Sequence, residues 1–349
     1  MKDPADLSDM LEYRNYPELI SYLLLEEFMP RNLIIDCDTG LDDAVALLLA
    51  LRSPEFNVLG ITCVNGNVNL KRVVINTLKV VDHSQNLVPV YAGASSCLIP
   101  EYSEDASQVH GSDGLGGLPF PDSKRPAEDE HAVDFIVRTI MSASEPIDWV
   151  TLGPLTNAAL AIRREPRICE NVRRLTMMAG GVHSGNTRYM SEYNVFADPE
   201  AARIVFDSLM DMTMVPLDPL FNGGHLNKQN INQIRDAGKE KPWCDMAAQI
   251  FDRTVKLVHD LGRKQVIEEG AVSPPDLLAM AIAIDPGIGE SEDYQVFVET
   301  RGEYTRGMTV VDRRKYNRVK IQPDREDVKV VMAVDQKKYS DLVLKTWLS

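Results

Sequence analysis

The chain has 349 residues, 44% hydrophobic and 26% charged, enough for one large α/β domain with a sizeable core. Its formal net charge of −15 argues against nucleic acid or anionic membrane as a main partner and suits a small neutral or cationic molecule, or a metal cation. The five cysteines are scattered without a C-x-x-C pair, so neither a zinc site nor a disulfide framework is indicated, and a reducing, cytoplasmic setting is the expectation.

Residues 1–30 read as an appended helical extension whose apolar spacing breaks at Pro17. The apolar cluster there, Leu23 to Leu25, is too short and too close to Glu26 and Glu27 for a signal sequence. From residue 31, "NLIIDC" reads as a buried strand and "DDAVALLLALRS" as a helix with acids in its first turn. "NVLGITCVN" is a strand, "LKRVVINTLKVVDHS" a helix and "VPVYAG" a strand. The Gly/Pro/Ser-rich stretch from Ala94 to about Glu130 is too long for an ordinary connection and marks a functional loop. Beyond it, "HAVDFIVRTIMSA" and "PLTNAALAIRRE" read as helices, with "IDWVTL" and "RRLTMMAG" as strands. "DPEAARIVFDSL" is a helix, "MTMVPL" a strand, and two longer helices fill roughly residues 228 to 262. Another helix begins at Pro274-Pro275, where proline fits a first turn. "YQVFVET", "MTVVD" and "VKVVMAVD" read as edge strands before a closing helix. Strands alternating with helices imply βαβ units, an open, mostly parallel α/β sheet flanked by helices, and one domain over residues 31–349.

Four aspartates crowd the end of the first strand: Asp36, Asp38, Asp42 and Asp43. In a parallel sheet, ligands sit beyond the carboxyl ends of the strands. Asp42 and Asp43 suit a helix start, where acids favour the dipole, but Asp36 and Asp38 end an apolar strand. Carboxylates converging there repel one another unless a cation lies among them. Without Cys/His clustering, the cation expected is a hard one, Ca²⁺ or Mg²⁺, rather than zinc.

Phosphatases of the haloacid dehalogenase type also open with D-x-D, but here the order is Thr39-Gly40 and no later acidic pair stands in a Gly-Asp context. "DCDTGLDDAVAL" instead resembles the signature of the nucleoside hydrolases, the inosine–uridine-preferring type. "GITCVNGNV", "VHGSDGLGG", "LGPLTNAALA", "GGVHSGN", "SEYNVFADPEAA" and "RGMTVVD" extend the resemblance in order along nearly the whole chain. It implies a Rossmann-like nucleoside hydrolase fold and Ca²⁺-dependent hydrolysis of a ribonucleoside to base and ribose. It also implies a cytoplasmic homodimer or homotetramer that binds neither nucleic acid nor membrane. Carried over residue by residue, Asp38, Asp43, Asp276 and the carbonyl of Leu152 become the metal ligands. Asp38 also orients and deprotonates the attacking water, and Asn67 helps to place it. Asp42, Asn186, Glu192 and Asn194 hold the sugar hydroxyls, His110 and His259 lie toward the base, Asp36 braces the first loop, and Asn157 ties down a loop. Carboxylates around the ring suit the cationic, oxocarbenium-like sugar through which such a bond breaks.

The pattern departs on the base side. Inosine–uridine members carry His, and purine-preferring members Trp, before the last Asp ligand; this chain has Pro275 before Asp276. "PLFNGG" replaces a Thr-His pair after "VPLD", and base-facing Tyr residues are missing from "RTVKLVHDLG". Base preference is therefore not read from the resemblance. A ribosyl-binding, weakly active or inactive regulatory homologue stays open as the alternative to an active hydrolase.

Overall fold

Leu33, Ile34, Ile35, Asp36 and Cys37 are all fully buried, which places the first strand in the middle of a sheet covered on both faces. A computed structural model describes residues 29–99, 106–260, 270–315, 320 and 326–349. The expected N-terminal extension therefore lies outside the described residues, apart from its last two positions. In chain order the elements are β1 (Arg31–Cys37), α1 (Leu41–Arg52), β2 (Phe56–Cys63), α2 (Leu70–His83) and β3 (Val90–Ala92). There follow α3 (Ser107–His110), α4 (Ala132–Ser142), β4 (Ile147–Thr151), α5 (Thr156–Arg164), α6 (Ile168–Asn171) and β5 (Val172–Met178). Next come α7 (Tyr193–Ala197), α8 (Pro199–Phe206), β6 (Met212–Val215), α9 (Lys228–Ala237), α10 (Pro242–Asp260) and α11 (Pro275–Ile284). The last elements are β7 (Gly289–Tyr294), β8 (Val296–Val298), β9 (Thr309–Val311), β10 (Val328–Val334) and α12 (Gln336–Leu348).

The main sheet has the order β3-β2-β1-β4-β5-β6-β10-β7. All pairings are parallel except β10 with β7. Leu33, Ile35 and Cys37 face one apolar layer, built with α1, α10, α11 and α12. Ile34 faces the other, built with α4, α5 and α8. From β1 the chain winds outward through β2 and β3, then returns to β4 on the opposite side and winds out again. The carboxyl ends of β1 and β4 thus flank a topological switch point, where α/β sheets bind ligands.

Two helices converge on that point. The N-terminus of α1 carries Asp42 and Asp43, and α11 opens with Pro275 in its first turn, followed by Asp276. At the other end of α11, Arg31 at the start of β1 donates to the carbonyls of Ala283 (3.2 Å) and Ile284 (2.9 Å). Strand and helix are therefore pinned together at this end.

Two readings of the C-terminal strands need correction. β10 is not an edge strand: it lies between β6 and β7, with Val328, Val330 and Val331 buried. The edge is β7, "GESEDY", whose exposed acids conceal it from a hydrophobicity reading and suit an edge that must not pair further. "YQVFVET" and "MTVVD" supply β8 and β9, a separate antiparallel ribbon. No helix among the described residues is long and apolar enough to cross a membrane.

Candidate active site

Asp38 follows β1 directly and lies in a slot walled by two glycines. A Cβ on Gly66 would come within 2.1 Å of its Oδ2, and one on Gly153 within 2.6 Å of its Oδ1. The main-chain N–H of Asn67 donates to Oδ2 at 2.7 Å. Asp43, one helical turn into α1, accepts from the N–H groups of Gly40 (2.9 Å) and Asp38 (3.3 Å), and from the Asn67 side chain (3.0 Å). Carboxylate oxygens of Asp42, Asp43 and Asp276 lie within 4.8 Å of one another. Asp38 adjoins this trio through Asp43 and is not itself within that spacing. Asp38, Asp43 and Asp276 are buried, and among the described residues no Lys or Arg pairs with them.

The electrostatic consequence is large. Burial, then the charges of Asp43 and Asp42, pushes Asp38 well above the usual carboxylate range. Burial and the three other acids do the same to Asp276. Asp43 is pushed up to about 7 by burial and then by Asp42. One buried oxygen of the cluster, Asp42 Oδ1, has no hydrogen-bond partner. A cluster of hard oxygens with an orphaned acceptor and no organic cation fits a hard divalent metal ion.

Asp36 stands apart from the cluster. Its Oδ1 accepts from Thr62 Oγ1 (2.5 Å) and from Asn157 Nδ2 (2.8 Å), while Asn157 also holds the carbonyl of Cys63 and the N–H of Ala94. Asp36 and Asn157 thus brace the ends of β1, β2 and β3 beneath the site. Burial pushes Asp36 up to about 7.

The expected sugar-holding residues gather on the β5 side. Glu192 caps α7 and accepts from the N–H groups of Asn194 (2.7 Å), Gly180 (2.9 Å) and Val195 (3.3 Å); burial nevertheless lifts it to about 7. Asn194 donates from Nδ2 to the carbonyls of Leu152 (2.6 Å) and Met178 (3.0 Å). It therefore orients the expected carbonyl ligand and leaves only its own Oδ1 for a substrate. Asn186 is set by the Tyr193 N–H, which donates to its Oδ1 at 3.0 Å.

Of the residues expected toward the base, His110 packs its ring over Gly40 and accepts the N–H of Leu41 at Nδ1 (3.1 Å), with Asp42 Oδ1 at 3.7 Å. Burial pushes His110 down, with Asp42 opposing. His259 is on α10, but its side chain lies outside the described residues. Pro275 has no proton to give, and nothing replaces the usual donor at that position.

A family model described as inosine-uridine preferring nucleoside hydrolase matches residues 33–341. The chain is 41% identical over 290 residues to the inosine-uridine preferring nucleoside hydrolase of Leishmania major, covering 82% of this chain and 89% of that protein. It is 35% identical over 284 residues to the pyrimidine-specific ribonucleoside hydrolase of Shigella sonnei, covering 81% and 87%. The solved structure of a purine-preferring ribonucleoside hydrolase from Gardnerella vaginalis superposes with a TM-score of 0.80 at 31% identity, covering 90% of this chain and 98% of that one.

Proposed function

The chain belongs to the inosine-uridine preferring nucleoside hydrolase family and is an N-ribosyl hydrolase; from that premise we propose a Ca²⁺-dependent hydrolysis of ribonucleosides to free base and ribose. The observation that carries the metal is the buried acid cluster at the β1/β4 switch point, with an orphaned carboxylate oxygen and no pairing Lys or Arg among the described residues. Asp38, Asp43, Asp276 and the carbonyl of Leu152 would hold the ion. When bound, a hard cation offsets the mutual repulsion of the acids, binds vicinal hydroxyls and lowers the pKa of water.

The remaining steps belong to the protein's own groups. Asp38, fixed through its Oδ2 by the Asn67 N–H, takes the proton of the attacking water. Asp42, Glu192 and Asn194 present oxygens, and Asn186 its Nδ2 amide, to the ribose hydroxyls. As the C–N bond lengthens, the positive charge growing on the sugar is met by the surrounding carboxylates. The relatives span inosine–uridine, pyrimidine and purine preferences, and Pro275 matches none of the patterns known from the sequence resemblance. Base preference is thus a matter for a substrate panel. A cytoplasmic homodimer or homotetramer, with residues 1–30 outside the catalytic unit, completes the proposal and rests on the sequence reading alone.

Metal analysis of the dialysed protein should find about one Ca²⁺ per chain. Chelation should abolish ribose release, and added Ca²⁺ should restore it. Bound zinc, or full activity without metal, would refute the reading.

A further inference from the structure

The residue that docks the long glycine-rich loop onto the site is one that no motif reading singled out. Asn76 lies on α2 and is 2% exposed. Its Nδ2 donates to two carbonyls from opposite sides: Thr39 of the first acidic loop (3.2 Å) and Asp113 of the long loop (2.9 Å). The fit is close. Gly114, at φ +81°, approaches so tightly that a Cβ there would sit 2.6 Å from the same Nδ2. From His110 to Gly116 the long loop is a compact turn, closed by Gly116 N–H to the His110 carbonyl (2.8 Å) and Gly114 N–H to the Gly111 carbonyl (3.0 Å). Fixing the Asp113 carbonyl therefore fixes His110, three residues earlier. The other side of the clamp holds Thr39, immediately before Gly40, against which the His110 ring packs.

We propose that Asn76 is a positioning residue that sets the His110 imidazole over the first acidic loop, with Nδ1 on the Leu41 N–H and the ring proton on Nε2. A main-chain N–H filling Nδ1 leaves the neutral ring its proton at Nε2, from which it donates a hydrogen bond to the departing base and keeps the proton. The inference rests on the hydrolase reading and deepens its base side, where Pro275 supplies no proton.

Asn76→Asp keeps the shape but replaces the shared donor with an acceptor facing two carbonyls. Measured beside His110→Ala, it should lower kcat/KM for inosine and uridine by roughly tenfold or more, as losing a hydrogen-bond donor to charge that develops in the transition state does. For p-nitrophenyl riboside, whose base leaves without a proton, the loss should stay below about threefold. The double variant should be no worse than His110→Ala alone, because both changes remove one function. Equal losses on all ribosides, no loss, or full additivity would overturn the proposal. Should Asn76→Asp fail to fold by circular dichroism, Gly114→Ala, which pushes the loop off the same amide, is read on the same panel with the same expected and overturning results. If the wild type turns over none of the ribosides, the hydrolase reading falls, and the clamp is read from ¹⁵N-imidazole spectra instead. There, a changed His110 tautomer signal in Asn76→Asp supports the clamp, and an unchanged one overturns it.

Discussion

Two aspartates two positions apart do opposite work. Asp38 reaches the acid cluster and the Asn67 N–H, whereas Asp36 is spent on Thr62 and Asn157. Asp38→Asn should lower kcat by about 10³-fold or more, since base and metal functions vanish together. Steady-state kinetics at saturating Ca²⁺ would show it, and a variant retaining a tenth of wild-type turnover would remove Asp38 from the chemistry. Asp36 is different because burial lifts its pKa to about 7 from an unfolded value of 3.8. The folded state then binds the extra proton, so the stability it supports is complete below the unfolded pKa and is lost as pH rises through the folded one. Asp36→Asn mimics the protonated carboxyl. At saturating Ca²⁺, with the neighbouring acids held ionised, wild type should lose stability between about pH 4 and 7 and the variant should lack that share of the slope. Parallel pH profiles of Tm would contradict this. The D-x-D…D-D spacing made the acids legible in the sequence. It did not show that Asp42, rather than Asp38, closes the tightest carboxylate trio, because linear spacing carries no information on how α11 meets α1. Asn76 left a faint trace, an amide among Val73, Val80 and Val81 on the apolar face of α2, but its two carbonyl partners come from distant loops.

Elements carry the site as much as residues do. α11 is buried from Asp276 to Ile284, so its axial position is set by packing and by what holds its ends. Arg31 caps its last carbonyls, pairs with Asp148 at 2.9 Å and stacks on Phe56 with 4.6 Å from its guanidinium carbon to the ring centre. Burial pushes the Asp148 carboxyl up, and the Arg31 charge is the main force pulling it back. Arg31→Ala should therefore cost about 1–3 kcal/mol, discounted for the part-exposed guanidinium. It should also weaken Ca²⁺ binding by roughly tenfold, as losing a ligand's outer support does, because Asp276 rides on the loosened helix. Denaturant titration and calorimetry measure the two effects separately, and a stability loss with unchanged Ca²⁺ affinity would uncouple helix position from the metal site. The βαβ core was legible because strands buried on both faces are continuous apolar runs and most of the helices carry a clear period, although α1 and α11 are buried nearly all round. The C-terminal strands were misplaced for a physical reason. β10 enters between β6 and β7 from far along the chain, while β7 is written in acids. Hydropathy reports burial, and neither strand's neighbour is local.

At the scale of the molecule, the doubly wound order concentrates chemistry at one edge. Asp38, Asn67, Leu152, Glu192 and Asn194 all follow the carboxyl ends of β1, β2, β4 and β5, and Asp276 opens a helix that starts at that edge and runs back to the amino end of β1. Residues separated by more than two hundred positions thus share one pocket, so the site needs the whole winding from β1 to α11 and no shorter piece. The same logic says what the site does not need. The family match begins at residue 33, and every residue placed in the site lies between Asp36 and Asp276. β1 starts at Arg31, whose contacts hold α11, which fixes the latest safe cut just before it. Removing residues 1–28 should therefore leave kcat on a ribonucleoside within a few-fold, since every residue assigned to the site from the described structure is kept. Sedimentation of the same shortened protein tests whether the segment contributes to assembly. A folded truncation that binds Ca²⁺ yet turns over nothing would show that the first 28 residues complete the site, either in their own chain or in a neighbouring subunit.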